Sequence, residues 1–152
     1  MNISERGINA IKLFEGSNKR GDLHYAYRCA AGILTCGYGS TGGVTETTVW
    51  TEDQARAGLL RDLLSAEAAV RKQCDTSKLT QGQYDALVSW VFNLGPRPQA
   101  TLWKLIAAGK MAQAGDELLK WNLVGGKPNA GVTRRREAER RMFNDGQYPE
   151  KW

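Results

Sequence analysis

Two stretches of helical periodicity leave this chain little freedom in how it can fold beyond its first fifty residues. From Thr80 onward, Tyr84, Leu87, Val88, Val91 and Phe92 recur at intervals of three and four, which winds one apolar stripe along a helix that must be buried. Thr80 and Gln83 have the spacing of a capping box that starts it, and Asn93, Gly95 and Pro96 stop it. This helix is predicted to be the core of the larger lobe. A longer helix opens at Thr51-Glu52-Asp53-Gln54 and carries Ala55, Leu59, Leu63, Ala66 and Val70 on one face, with the length to join two lobes. Shorter helices are predicted over Thr101 to Ala108 and Met111 to Lys120, and a last one from near Thr133. The stretch Gly125-Gly126-Lys127-Pro128 lacks the spacing of a phosphate loop and reads as a connection.

The N-terminal part has a different texture. Ile8, Ile11 and Glu15 fall on one stripe of a first helix that Gly16 is placed to end. Tyr25 to Tyr38 then alternates loosely between apolar and small or polar residues, with Gly32, Gly37 and Gly39 where turns would fall. A β-hairpin beside the helix end would carry Cys29 and Thr35 up to Glu15. A carboxyl on the half-buried face of a helix has its charged form disfavoured by desolvation, which moves it from about 4.3 toward the range of a general acid. The plainer role for Glu15 is a helix end paired with Lys12 or Lys19, and position alone does not separate the two.

Composition narrows the field. At 152 residues, 41% hydrophobic and 24% charged, the chain is expected to be one globular domain. No apolar signal core precedes the first helix and no run of about 18 apolar residues occurs, so neither export nor stable membrane insertion is expected. The three cysteines, Cys29, Cys36 and Cys74, have no metal-ligand spacing and only His24 to help them, so no metal or cofactor is expected and a reducing cytoplasm suits them. A net charge of +5 and the run from Arg134 to Arg141 raise nucleic-acid binding as a competitor. Glu137 and Glu139 offset part of that charge along the helix, and no DNA-binding motif surrounds it; a solvated, salt-bridged face and no nucleic-acid partner are expected.

The segment from Glu15 to Gly39, with Ala-Tyr-Arg-Cys-x-Ala-Gly followed by Thr-x-Gly-Tyr-Gly, resembles the phage-type lysozymes, glycoside hydrolase family 24. Leu79 to Gly95 and Gly131 to Phe143 are similar to two further blocks of that family, so the resemblance spans nearly the whole chain. It implies an α+β, mainly helical lysozyme-like fold: a small N-terminal β-hairpin lobe (about 12–50), a long helix, and a larger helical lobe (about 51–152 with the N-terminal helix), with the cleft between. The family's catalytic Glu, Asp and Thr fall on Glu15, Cys29 and Thr35, and its cleft-bordering positions on Tyr38, Phe92 and Asn93. It further implies a monomeric endolysin that cuts between N-acetylmuramic acid and N-acetylglucosamine. Made in the host cytoplasm, such an enzyme reaches the wall once a holin has permeabilised the membrane.

Two departures stand out. Cys29 replaces the commoner Asp, and extra residues lie within Ser17 to Tyr25, among them Asp22, a weak candidate for the missing carboxylate. Glycoside cleavage needs an acid for the leaving oxygen and a second group for the oxocarbenium-like centre. An unperturbed thiol is only about 3% thiolate at pH 7, so Cys29 either orients a water together with the Thr35 hydroxyl or attacks the anomeric carbon itself. Ser40 stands where family members often have His. Trp90, Phe92, Trp103 and Trp121 could stack on sugars, though aromatics at helical spacing are more often core. A competing reading keeps fold and charge without chemistry, as a non-catalytic wall-binding or nucleic-acid-binding module.

Overall fold

The computed structural model describes residues 1–152, which divide into two compact units, Lys12–Leu64 and Met1–Ile11 with Ser65–Trp152. In the smaller unit, five short strands lie between the end of helix α1 (Glu5–Glu15) and the start of helix α2 (Glu52–Gln73): β1 (Lys19–Arg20), β2 (Leu23–Tyr25), β3 (Tyr27–Arg28), β4 (Leu34–Thr35) and β5 (Val49–Thr51). The expected hairpin is β3–β4, with Tyr27 opposite Thr35 and Arg28 opposite Leu34. A second sheet goes beyond that expectation. The extra residues between Ser17 and Tyr25 fold as an antiparallel hairpin, β1–β2, onto which β5 adds as a third strand. Asp22 lies exposed in its turn.

Strand alternation buries every second residue of β2: His24 is fully buried opposite Trp50, whereas Leu23 and Tyr25 on either side keep solvent contact. α2 begins with the expected capping box, the Thr51 hydroxyl accepting from Gln54 N and the Gln54 side chain accepting from Thr51 N. Ala55, Leu59, Leu63, Ala66 and Val70 are all buried along its inner face. Gly37 fits beneath this helix for two reasons. Its φ is +65°, and a Cβ there would stand 3.0 Å from that of Ala55.

The larger unit is built on α3 (Gln81–Leu94), capped at Thr80 and Gln83 as the sequence predicts, and packed against α6 (Ala130–Asp145). Tyr84, Leu87, Val88 and Val91 are buried as the periodicity requires. Helices α4 (Thr101–Ala107) and α5 (Met111–Glu117) follow, the latter running into a 3₁₀ turn over Leu118–Lys120.

Three expectations need correction. Residues 123–128 are not a plain connection but a hairpin of β6 (Leu123–Val124) and β7 (Lys127–Pro128). Gly125 and Gly126 both take positive φ in its two-residue turn, the conformation that matches strand twist. α6 starts at Ala130, ahead of Thr133, because the Asn129 side chain caps it by accepting from Val132 N. Its basic run is only half solvated. Helical period turns Arg135, Arg136 and Glu139 inward with Met142 and Phe143, so these three charged residues lie in the core. There Glu139 accepts hydrogen bonds from Ser89, Arg135 and Arg136. Another buried carboxylate, Asp85, gathers the two ends of the chain: it accepts from Ser4 N and Oγ near the N-terminus and from the Tyr148 hydroxyl near the C-terminus.

Candidate active site

Glu15, Cys29 and Thr35 all belong to the smaller unit. Glu15 is the last residue of α1 and is half-buried. Gly39, at φ +92°, lies against its carboxylate; a Cβ on Gly39 would come within 3.4 Å of Glu15 Oε2. Lys12, the partner that spacing offers to Glu15, instead bonds Glu52 at 2.8 Å.

Thr35 sits in β4, directly across from Tyr27. Past the end of β3 the ladder continues, Cys29 N donating to Ile33 O at 3.0 Å, and the turn closes with Gly32 N donating to Cys29 O at 2.8 Å. Alternation then puts Tyr27, Cys29 and Thr35 on one face of the hairpin, with Arg28 and Leu34 on the other. The Cys29 thiol is held below its ordinary range by hydrogen bonding to the backbone at Ile33 and Ala31, which outweighs the opposing effect of burial; the Thr35 hydroxyl adds a smaller lowering. Thr35 Oγ1 also donates to Ile33 O at 3.0 Å. One hydroxyl proton serves one acceptor at a time, so Thr35 can donate either to the carbonyl, as it does here, or to the sulfur, but not to both.

The same unit holds a polar cluster that sequence reasoning missed. Glu52, at the first position of α2, accepts from Lys12 Nζ and from the Tyr38 hydroxyl, and it bonds His24 Nε2 at 2.7 Å. His24 Nδ1 meets Ser17 Oγ at 2.6 Å, so both ring nitrogens are engaged. This cluster ties the end of α1, β2, the glycine turn and the start of α2 to one carboxylate. Tyr38, expected to face substrate, is only 8% exposed and its hydroxyl is committed to Glu52. Ser40 is likewise buried and donates to Asp62 at 2.6 Å. The signal that could have found the cluster was the chain's lone His, directly before an aromatic inside a strand pattern. Nothing in the sequence named Glu52 as its partner.

Burial disfavours the charged Glu52, but the hydrogen bonds from Lys12, His24 and Tyr38 outweigh it and hold the carboxyl down at about 2. Tyr38 is pushed up in turn, by burial and then by the Glu52 charge. A depressed carboxylate stabilises the fold above its unfolded pKa and loses that contribution as pH falls toward the folded one. Because the Glu52 side chain is 40% exposed, solvent screening reduces the contribution to about 1 kcal/mol. Wild type and Glu52→Gln are therefore expected to differ in thermal midpoint at pH 6 and to converge as pH falls from about 4.5 to 2. Parallel melting curves across that interval would show that Glu52 does not carry this effect.

The remaining expected contacts lie in the larger unit. Phe92 is half-buried and lines a cavity of about 260 Å³ with Val91, Gly95 and Pro96. Asn93 is exposed, and its side-chain oxygen accepts from Arg136. Trp90 and Trp103 are core residues packed edge to face. Trp121, also edge to face with Trp90, lines a cavity of about 480 Å³ with Leu94, Arg97 and Leu123. All three cysteines are free thiols, and no cluster of three or more His, Cys, Asp or Glu side chains is placed to hold a metal.

The profile of the phage lysozyme family matches residues 14–139, which include the acid, the thiol, the hydroxyl and the buried Arg–Glu cluster of α6. The chain belongs to the phage lysozyme family. An endolysin of Acyrthosiphon pisum secondary endosymbiont phage 1 is 39% identical over 94% of this chain and 98% of its own length. The endolysin of Bacillus phage B103 is also 39% identical, over 97% of this chain but 56% of that longer protein. Among solved structures, the endolysin from Escherichia coli O157:H7 phage FAHEc1 aligns over 99% of this chain and 98% of that one, with 34% identity and a TM-score of 0.88. The protein is thus a lysozyme-class glycoside hydrolase that degrades peptidoglycan in phage-mediated host lysis, on the mainly helical α+β fold expected from its sequence.

Proposed function

We propose that this lysozyme hydrolyses the bond between N-acetylmuramic acid and N-acetylglucosamine by single displacement, with Glu15 as general acid and Cys29 and Thr35 as holders of the attacking water. The observation that carries the reading is the shared face of Cys29 and Thr35 on the β3–β4 hairpin, together with the hydrogen bonding that favours the thiolate. Glu15 gives its proton to the leaving glycosidic oxygen. The water adds to the anomeric carbon from the opposite face and passes a proton to the Cys29 sulfur. Thr35 supplies the rotating hydroxyl that aligns that water. Asp22 has no part in this scheme.

The stereochemistry of the product tests the scheme. Proton NMR of freshly released reducing ends is expected to show inverted anomers; retained anomers would make Cys29 a nucleophile and sink the water mechanism. Cys29→Asp, which installs a carboxylate at the same place, is expected to stay within about tenfold of wild type. Cys29→Ala is expected to fall by about 10²-fold, the usual loss of a positioned base. An undiminished Cys29→Ala would remove the thiol from the mechanism.

Phe92 and Asn93 are proposed as glycan contacts on the larger unit, Asn93 through the amide nitrogen that Arg136 leaves free. Tyr38 contributes through the wall of the site, by anchoring Glu52. We further propose that the protein works as a monomer and that a separate holin opens the route to the wall.

A further inference from the structure

The protein's five tyrosines differ in what their hydroxyls do. Tyr38, Tyr84 and Tyr148 each donate to a carboxylate, respectively Glu52 at 2.9 Å, Glu67 at 2.9 Å and Asp85 at 2.6 Å. Tyr25 lies on the outer side of β2 with the Arg20 guanidinium 4.7 Å above its ring. Tyr25 and Tyr27 are both half-buried, and the hydroxyl of neither bonds to another group of the protein. Tyr27 differs in place: it stands on the same hairpin face as Cys29 and Thr35.

The chemistry of that face makes an uncommitted donor informative. Glu15 after proton transfer and Cys29 as thiolate are both acceptors, and Thr35 has one proton to share between two acceptors. A glycan brings many acceptor oxygens of its own, in its acetamido carbonyls, ring ethers and hydroxyls. Any of those oxygens that is desolvated and left unpaired costs affinity, so each further donor on this face counts. Tyr27 supplies a neutral donor on the hairpin face itself, and its O–H has no competing partner there. Burial, followed by the neighbouring charges of Glu15, Cys29 and Cys36, pushes the phenol above its ordinary range, so the proton stays on it throughout the working pH range.

We propose that Tyr27 is a further substrate-binding residue, a neutral phenol that donates a hydrogen bond to an acceptor oxygen of the sugar held against Glu15, Cys29 and Thr35. The inference rests on the assignment of those three residues as the site. In the sequence nothing singles out Tyr27, since an aromatic in a strand needs no functional reason.

Tyr27→Phe keeps the ring and its packing and removes only the donor. With a soluble alternating tetrasaccharide of N-acetylglucosamine and N-acetylmuramic acid as the probe, kcat/KM is expected to fall about tenfold, with the thermal midpoint and both limbs of the pH profile unchanged. Equal activity of wild type and Tyr27→Phe overturns the proposal. A displaced pH limb overturns it too, because the phenol would then be acting on Glu15 or Cys29 and not on the sugar. The affinity of the same tetrasaccharide for Glu15→Gln and for Glu15→Gln/Tyr27→Phe separates this proposal from the mechanism above. If wild type does not cut the probe, the catalytic assignment fails, yet a tenfold weaker affinity of the double variant still supports Tyr27 as a sugar contact, and equal affinity refutes it.

Discussion

Glu15→Gln is expected to lower the rate of peptidoglycan clearing by about a thousandfold, within the span that loss of a positioned general acid produces. The exchange is nearly isosteric and keeps a hydrogen-bonding group at the end of α1. It removes the one thing the mechanism needs, a proton that can be given to the leaving oxygen. The carboxylate is seated before the chemistry begins: Gly16 ends the helix at φ +63°, and Gly39 brings bare backbone against Oε2, where a larger residue would crowd it. The thermal midpoint of Glu15→Gln is therefore expected to stay within about 2 °C of wild type, which separates lost chemistry from lost fold. Turbidity clearing of purified peptidoglycan measures the first and calorimetry the second. Equal clearing by both proteins would remove Glu15 from catalysis and revive the reading of the fold as a non-catalytic wall-binding module.

How much of this could be read beforehand depended on whether a residue's role is set locally or by distant partners. The caps at Thr51 and Thr80 and the stripes of α2 and α3 follow from neighbours within a turn or two, and the structure keeps them. The extra residues at Ser17–Tyr25 were visible as a length difference. Their fold as β1–β2 depends on β5, which lies well along the chain and contributes the third strand. Glu52 read as an acidic residue in the first turn of a helix, a common placement that needs no tertiary partner. Only the folded chain brings Lys12, His24 and Tyr38 to it. The α6 run failed in a similar way. Arg-rich composition argues for a wet surface, whereas helical period argues that residues 135, 136, 139, 142 and 143 share a face, and the period prevailed because α3 covers that face.

That buried face gives the largest expected effect on stability. Glu139 is fully buried and accepts from Ser89 Oγ at 2.6 Å, from Arg135 Nε at 3.1 Å and from Arg136 Nη1. Arg136 is itself fully buried, with Nε donating to Trp121 O at 2.9 Å and Nη2 to Asn93. Removing the single negative charge leaves two guanidinium groups in the core facing a neutral amide. Breaking one side of a buried ion pair costs about 3–5 kcal/mol, a large share of the roughly 5–15 kcal/mol that holds a domain folded. Glu139→Gln is thus expected to lower the thermal midpoint by about 10 °C or more. Glu137→Gln on the exposed side of the same helix should shift stability by less than about 0.5 kcal/mol. The cost should persist in high salt, because ions do not screen a pair from which water is excluded. A loss at Glu139 no larger than that at Glu137 would mean that the arginines find other partners, and that the cluster does not hold α6 to the Trp121 segment.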